Sequence, residues 1–86
     1  MGDYTITFVR SAREELEALE ANTVKRIMAR IEALAGEPRP RGCHKLKTEK
    51  RLWRIRVGDY RVIYSVRDEN RSIEILSVRH RSEAYR

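Results

Sequence analysis

The fold is decided by a stretch in the second half of the chain, Trp53-Arg54-Ile55-Arg56-Val57-Gly58-Asp59-Tyr60-Arg61-Val62-Ile63-Tyr64. On both sides of Gly58-Asp59, apolar and polar residues alternate, which is typical of half-buried β-strands. Gly-Asp between two such runs predicts a two-residue hairpin turn, although Asp-Gly is the commoner order. We therefore expect an antiparallel hairpin in which Val57 pairs with Tyr60 and Arg56 with Arg61.

This pairing gives the predicted hairpin two unlike faces. The helices are expected to pack against the apolar face, which carries Trp53, Ile55, Val57, Tyr60, Val62 and Tyr64. The other face carries Arg54, Arg56 and Arg61. Like charges opposed across two strands destabilise a sheet by up to about 1 kcal/mol, so these arginines indicate an anionic partner. The alternative is an ordinary solvated face on which Glu74 of the next strand neutralises one arginine.

Upstream of the hairpin, the sequence predicts one strand and two helices. Residues 4–8 alternate like a strand, with Tyr4, Ile6 and Phe8 on one face. Ser11 and Glu14 match a capping box for a helix that runs to about Glu20. The second helix, capped by Asn22 or Thr23, has an apolar stripe made of Val24, Ile27, Met28, Ile31 and Leu34. The polar stretch from Pro38 to about Lys50 is expected to be irregular.

Downstream of the hairpin, another strand is expected from Ser72 to about Val78, followed by a short basic tail. The order is then βααβββ(α), an α+β fold with a helical hairpin packed on one face of a mainly antiparallel four-stranded sheet. A length of 86 residues fits a single domain, 1–86.

Composition narrows the class of protein. Hydrophobic residues make up 41% of the chain and charged residues 37%, with 4 Gly and 2 Pro, which is typical of a folded domain. The chain has neither an apolar run of the ~20 residues that span a bilayer nor a signal peptide, so we expect a cytoplasmic protein without membrane contact. Because Cys43 is the single cysteine, neither a disulfide framework nor a cysteine-rich zinc site is expected, and we predict no metal and no cofactor.

The positive charge is concentrated in the second half of the chain. Residues 1–43 carry seven Lys or Arg and seven Asp or Glu, whereas residues 44–86 carry twelve against six, which gives the net +6. This asymmetry favours a polyanionic partner, of which nucleic acid is the first candidate. Charge that merely keeps a small domain soluble is the alternative interpretation.

The tail adds groups that suit phosphate chemistry, namely Arg79, His80, Arg81 and Tyr85. Arginine stays protonated, so it can bind a phosphate and stabilise developing charge but cannot act as a base. A Tyr or His can remove a proton. Such a set suits RNA cleavage by attack of the ribose 2′-hydroxyl on the adjacent phosphate, which DNA cannot undergo because it lacks that hydroxyl.

These residues resemble a known family. The run from Trp53 to Tyr64, together with Ser77-Val78-Arg79-His80-Arg81-Ser82-Glu83-Ala84-Tyr85-Arg86, is similar to the RelE branch of the RelE/ParE toxin superfamily, and the likeness covers the whole chain. It implies a toxin of a type II toxin-antitoxin pair, a ribosome-dependent endoribonuclease that cuts messenger RNA in the ribosomal A site. It also implies a RelB-like antitoxin as partner and, through that antitoxin, contact with operator DNA.

The resemblance also implies roles for single residues. Tyr85 would be the general base and Arg79 would assist the leaving 5′-oxygen, while Arg54, Arg56 and Arg61 would hold the phosphate. Contacts with ribosomal RNA would come from Lys45, Lys47, Lys50, Arg51 and Arg81. Well-known RelE members carry lysines where Arg54 and Arg56 stand, so charge stabilisation carries over to this chain and proton transfer by those positions does not.

Two questions stay open at the level of sequence. A phenol with an ordinary pKa of about 10 is a weak base at neutral pH, so Tyr85 either has that pKa lowered by neighbouring arginines or shares the task with His80. The second question is the class of activity. The alternatives to a ribonuclease are a ParE-like inhibitor of DNA gyrase without enzymatic activity and a plain nucleic-acid-binding module.

Overall fold

The elements of the computed structural model, which describes residues 3–46 and 51–84, follow the predicted order with one additional strand. They are β1 Thr5–Phe8, α1 Arg10–Glu17, α2 Ala21–Ala33, β2 His44–Lys45, β3 Leu52–Val57, β4 Tyr60–Arg67, β5 Ser72–His80 and α3 Arg81–Ala84. The strands form one five-stranded sheet in the order β1-β5-β4-β3-β2. β1 is parallel to β5 and the other pairs are antiparallel, so the mainly antiparallel α+β fold is confirmed.

The β3–β4 hairpin has the predicted register. Val57 pairs with Tyr60 and Arg56 with Arg61. Gly58 adopts a φ of +60° at the first turn position, which a two-residue hairpin turn requires and which glycine adopts without steric penalty. The alternation of the two faces therefore follows from this turn.

The second strand corrects the expectation that residues 38–50 are irregular and that the sheet has four strands. His44 pairs with Arg54 and Lys45 with Trp53, and the N–H of Leu46 donates to the carbonyl of Leu52 at 2.9 Å. The strand is only two residues long, too short for an alternating pattern to identify it. It satisfies backbone groups along the outer edge of β3.

Both predicted helix caps are wrong. α1 begins at Arg10 after Val9, and α2 begins at Ala21 after Glu20, with no side-chain hydrogen bond at either cap. Ser11 therefore lies inside α1. The cause is visible at the end of β1, where the N–H of Val9 still donates to Ile75 of β5 at 3.0 Å. Because the sheet holds the chain extended up to residue 9, the helix begins directly after it.

The core lies between the helices and one face of the sheet, as predicted. The helices contribute Ala12, Leu16, Ile27 and Ile31, the C-cap of α2 contributes Leu34, and the sheet contributes Ile55, Val57, Val62, Tyr64, Val66, Ile73, Ile75 and Val78. Burial of Tyr64 raises the pKa of its phenol, which donates a hydrogen bond to the carbonyl of Pro38 at 2.8 Å. The opposite sheet face is not part of this core, and it carries the candidate site.

Within the described residues, 3–46 and 51–84, no helix is both long enough and apolar enough to cross a membrane.

Candidate functional site

Three arginines from three neighbouring strands lie side by side across the sheet. Arg56 of β3 pairs with Arg61 of β4, as the sequence predicted, and Arg61 pairs in turn with Arg79 of β5. Arg54 lies two residues before Arg56 and therefore on the same face. We call these four side chains, Arg54, Arg56, Arg61 and Arg79, the arginine face. It lies on the side of the sheet away from the helices.

Burial within the arginine face decreases from its centre outwards. Arg61 is only 7% exposed, Arg54 is half-buried, and Arg56 and Arg79 are exposed. Placing a nearly buried guanidinium between two like charges opposes folding. The exposed Arg56 and Arg79 flank Arg61 and present positive charge at this sheet face, which favours an anionic partner.

Arg79 is held from the helical side of the molecule by Glu15 of α1. One carboxylate oxygen of Glu15 accepts a hydrogen bond from Nε of Arg79 at 2.9 Å, and the other accepts one from the N–H of Val78, also at 2.9 Å. The Arg79 side chain is 53% exposed and that of Glu15 is 27% exposed. Arg79 therefore has a fixed anchor and still reaches solvent.

His80 is not brought together with the arginine face. β5 extends to His80, two residues beyond the predicted end, and alternation then places His80 on the face opposite to Arg79. Its ring contacts Tyr60 edge-on, with centroids 5.3 Å apart. The N–H of Ser82 donates to its Nδ1 at 3.3 Å. His80 thus caps the first turn of α3, beside an open cleft of about 680 Å³ that Glu15 and Leu19 also line.

Arg81 lies at the hairpin turn, away from the row of arginines. Its N–H donates to the carbonyl of Asp59 at 2.7 Å, and its Nε lies 3.8 Å from the Asp59 carboxylate. The contact ties the start of α3 to the β3–β4 turn. Tyr85, four positions further along, lies outside the described residues, and its predicted role stays a prediction.

Two of the residues predicted to contact ribosomal RNA, Lys45 and Arg51, lie at the end of the sheet away from the β3–β4 turn. Lys45 of β2 shares the face of Trp53, with Nζ 6.0 Å from the ring centroid. Arg51 donates to Glu69 at 2.8 Å, and this hydrogen bond lowers the pKa of the Glu69 carboxyl. Neither belongs to the arginine face. Lys47 and Lys50 lie outside the described residues.

His44 is a further residue that the register places on the arginine face, and no sequence pattern indicated it. It pairs with Arg54 across β2 and β3, and its side chain is exposed. The contact between Lys45 and Trp53 fixes the alternation, so His44 falls on the opposite side. Its position depends on a two-residue strand that the sequence does not signal, so no pattern in the chain could have located it.

The arrangement suits binding of a phosphate backbone. Guanidinium groups match phosphate oxygens bidentately and keep their charge, so the four arginines can hold a phosphodiester and stabilise charge that develops on it. Within the part of the chain that the structure describes, no group of three His, Cys, Asp or Glu could hold a metal ion.

Comparison with known proteins gives one consistent family. A family model described as the ParE toxin of the type II toxin-antitoxin system parDE matches residues 6–85. The toxin RelG of Mycobacterium tuberculosis is 30% identical over 84 residues, which cover 96% of this chain and 97% of the relative.

Solved structures agree with the sequence relatives. The archaeal RelE-RelB complex from Pyrococcus horikoshii OT3 contains a chain that matches with a TM-score of 0.82 and 32% identity, covering 94% of this chain and 97% of that chain. The RelBE2 toxin-antitoxin complex of Mycobacterium tuberculosis matches with a TM-score of 0.80 and 31% identity, covering 92% and 99%.

Proposed function

Because the chain belongs to the RelE family of the RelE/ParE superfamily, the toxins of type II toxin-antitoxin systems, we propose that it is a ribosome-dependent endoribonuclease that cuts messenger RNA in the A site. The observation that carries the proposal is the row of Arg56, Arg61 and Arg79 across three strands. This row can follow and neutralise a phosphate backbone, and it lies on the sheet face opposite the hydrophobic core.

The reaction needs a nucleophile, a base and a stabilised leaving group. The ribose 2′-oxygen attacks the adjacent phosphorus while the bond to the 5′-oxygen breaks, which gives a 2′,3′-cyclic phosphate and a free 5′-hydroxyl. In this proposal Tyr85 acts as the phenolate and takes the proton of the 2′-hydroxyl, and the departing 5′-oxygen takes its proton from water. Arg79 stabilises the leaving oxygen, and Arg61 stabilises the negative charge that builds on the phosphate.

Three further residues complete the proposed site. Arg54 and Arg56 hold the neighbouring phosphate groups, and His44 lies beside Arg54, where its imidazole can contact a base or a sugar of the bound RNA. His80 caps α3 on the other sheet face, which favours Tyr85 over His80 as the base. Lys45, Lys47, Lys50, Arg51 and Arg81 are proposed contacts with ribosomal RNA.

The proposed partner is a RelB-like antitoxin. The solved structures from Pyrococcus and Mycobacterium are complexes of the toxin with its antitoxin. The net charge of +6 suits an acidic or amphipathic segment laid over the toxin surface. Contact with operator DNA would come through the antitoxin, and the site of action would be the ribosome in the cytoplasm.

The test is translation of a defined message in a cell-free system with the protein added, followed by primer extension to map cuts. We expect cuts only when ribosomes are present, and Arg61→Gln should lower the cleavage rate by about a hundredfold or more. Arg67→Gln is the matched control, because Arg67 lies on the same strand and the same face but at the far end. An intact message with the wild-type protein would contradict the proposal, as would equal rates for the two variants.

A second candidate function is inhibition of DNA gyrase, as in ParE toxins. The observation that favours it is the match of residues 6–85 to the ParE family model. Purified protein that blocks supercoiling by gyrase and leaves translation intact would decide for this function. Salt-dependent RNA binding with neither effect would leave a nucleic-acid-binding module.

A further inference from the structure

We propose that Glu15 is a positioning residue, which fixes the guanidinium of Arg79 at the edge of the arginine face for contact with an RNA phosphate. The inference rests on the proposed function, because it assigns Arg79 to the bound RNA. It concerns a helix residue that no sequence pattern associates with the site.

The carboxylate of Glu15 is divided between two donors. One oxygen accepts from the backbone N–H of Val78 and the other from Nε of Arg79, each at 2.9 Å. A side chain held on both oxygens has little freedom to rotate. Because one donor belongs to the backbone of β5, the carboxylate is fixed relative to the sheet and can serve as a reference point for Arg79.

The position of Glu15 follows from the topology of the sheet. β1 pairs with β5 only as far as Phe8 and Ile75, after which the chain turns into α1. Beyond that point the N–H of Val78 has a carboxylate from the helix as its partner in place of a strand. The same helix that covers this edge of β5 therefore supplies the anchor for the next residue of the strand, Arg79.

Binding through Nε leaves the outer edge of the Arg79 guanidinium available. Nη1 and Nη2 can donate together to two phosphate oxygens, which is the bidentate geometry that makes arginine selective for phosphate. An arginine that is already ordered loses less conformational entropy when it binds. Glu15 also offsets part of the repulsion between Arg79 and its neighbour Arg61.

If Glu15 has a different role, its removal should change RNA affinity in the opposite direction. If Glu15 only competed with RNA for Arg79, its removal would strengthen RNA binding, and simple charge balance predicts the same because the variant is more positive. If Glu15 positions Arg79, Glu15→Gln weakens binding although it adds net positive charge. The sign of the change therefore separates the two.

The experiment measures the affinity of the full chain for a fluorescent single-stranded RNA oligonucleotide by anisotropy at fixed salt. We expect Glu15→Gln to weaken binding by about three- to tenfold, the range for losing the order of one long side chain. Glu14→Gln is the matched control, because Glu14 lies on the same helix and pairs with the exposed Arg10. Its affinity should equal that of the wild type or exceed it slightly.

Two further arms test whether Glu15 acts through Arg79. In an Arg79→Ala background, Glu15→Gln should cause no additional loss, because the interaction is already absent. In ¹H–¹⁵N spectra, the Nε–H signal of Arg79 should be distinct in the wild type and should move toward the exposed arginines in Glu15→Gln. The spectra also report whether the variant stays folded.

Unchanged or tighter binding of Glu15→Gln overturns the proposal, and so does an equal loss in the Arg79→Ala background. A wild-type protein that does not bind the oligonucleotide overturns the assignment of Arg79 to RNA. Failure of the proposed function is distinguishable from failure of this inference. If the protein binds RNA with this pattern of variant effects but does not cut it, the ribonuclease proposal is contradicted and the positioning role of Glu15 stands.

Discussion

Gly58 is the residue on which the alignment of the arginines depends. Its φ of +60° closes the β3–β4 turn in two residues, and that turn sets Arg56 opposite Arg61. An L side chain at this φ is disfavoured by about 1–2 kcal/mol. A Cβ at Gly58 would also lie 3.1 Å from Nη2 of Arg26, the end of a flexible side chain that can move aside.

We expect Gly58→Ala to lower the free energy of unfolding by about 1–2 kcal/mol, mostly through the backbone. The measurement is the midpoint of urea unfolding at unchanged slope. Gly36→Ala is the control, because a Cβ there meets its nearest atom only at 4.0 Å, and it should change stability by about 0.5 kcal/mol or less. Equal losses for the two variants would show that the turn does not depend on the φ of Gly58.

At the scale of elements, the turn between β4 and β5 is tied to two other parts of the chain by Asp68. Its carboxylate accepts hydrogen bonds from Arg39 at 2.7 and 3.3 Å, and one from the hydroxyl of Tyr4 at 2.6 Å. The hydrogen bonds from Arg39, followed by the one from Tyr4, hold the pKa of Asp68 below its ordinary value. The residue before β1, the loop after α2 and this turn therefore all bind one carboxylate.

In the unfolded chain, an aspartate carboxyl has a pKa of about 3.9, and in the folded protein the pKa of Asp68 is lower. Ionised Asp68 therefore stabilises the fold fully above about pH 3.9, and this stabilisation is lost as pH falls through the folded pKa. Asp68→Asn should therefore melt at a lower temperature than the wild type at pH 7, and the difference should shrink as pH falls below about 4. Melting curves from neutral to acid pH test this. The pairing of Glu69 with Arg51 is present in both proteins and cancels in the comparison.

Asp59→Asn is the control for this pH experiment, because its carboxylate lies 3.8 Å from Arg81 at the opposite turn of the sheet. Its difference from the wild type should stay small at every pH. A difference between Asp68→Asn and the wild type that does not depend on pH would contradict the role assigned to the ion pair.

The elements that the sequence predicted well are those whose signal is local and repeated. Alternation around Gly58 was sufficient to give the β3–β4 register, because the side-chain period of a strand is fixed. The caps failed at Ser11 because the pairing of β1 with β5 sets where α1 begins, and that pairing joins distant segments. Propensity at single positions gives way to such tertiary contacts.

The candidate site was predicted only in part, because some of its residues are placed by local pairing and others by contacts between more distant segments. Arg56 and Arg61 were placed opposite each other from the hairpin alone, whereas placing Arg79 in the same row requires the register of β4 with β5. His80 was grouped with these arginines because the strand was expected to end at Val78, and a strand that reaches His80 puts it on the other face. Glu15 carries no sequence signal, since its role depends on where α1 meets the edge of β5.

At the scale of the whole molecule, the charge asymmetry of the sequence concerns which side of the fold carries positive charge. The excess positive charge of the second half includes the arginine face, on the side of the sheet away from the helices. Arg10, in contrast, lies on α1, where it pairs with Glu14 and is exposed. A polyanion should therefore engage one side of the molecule and release counterions there.

We expect Arg56→Gln to flatten the dependence of RNA affinity on salt, with the slope of log K against log salt smaller in magnitude by about 0.7, the value for one phosphate contact on single-stranded RNA. Arg10→Gln removes the same charge from the helical side and should leave the slope unchanged. Anisotropy titrations over a series of potassium chloride concentrations measure both. Equal slopes for the two variants would show that net charge alone attracts the RNA.

The parallel pairing of β1 with β5 also has a kinetic consequence. Thr5 pairs with Ser72, so the first strand of the chain waits for a partner that follows 67 residues later. Closing so long a loop is entropically unfavourable, whereas the two hairpins β3–β4 and β4–β5 close short ones. We infer that the antiparallel strands assemble first and that β1 joins late. A ribosome that makes this protein must therefore translate past β5 before the row of arginines, Glu15 and β1 can come together as one surface.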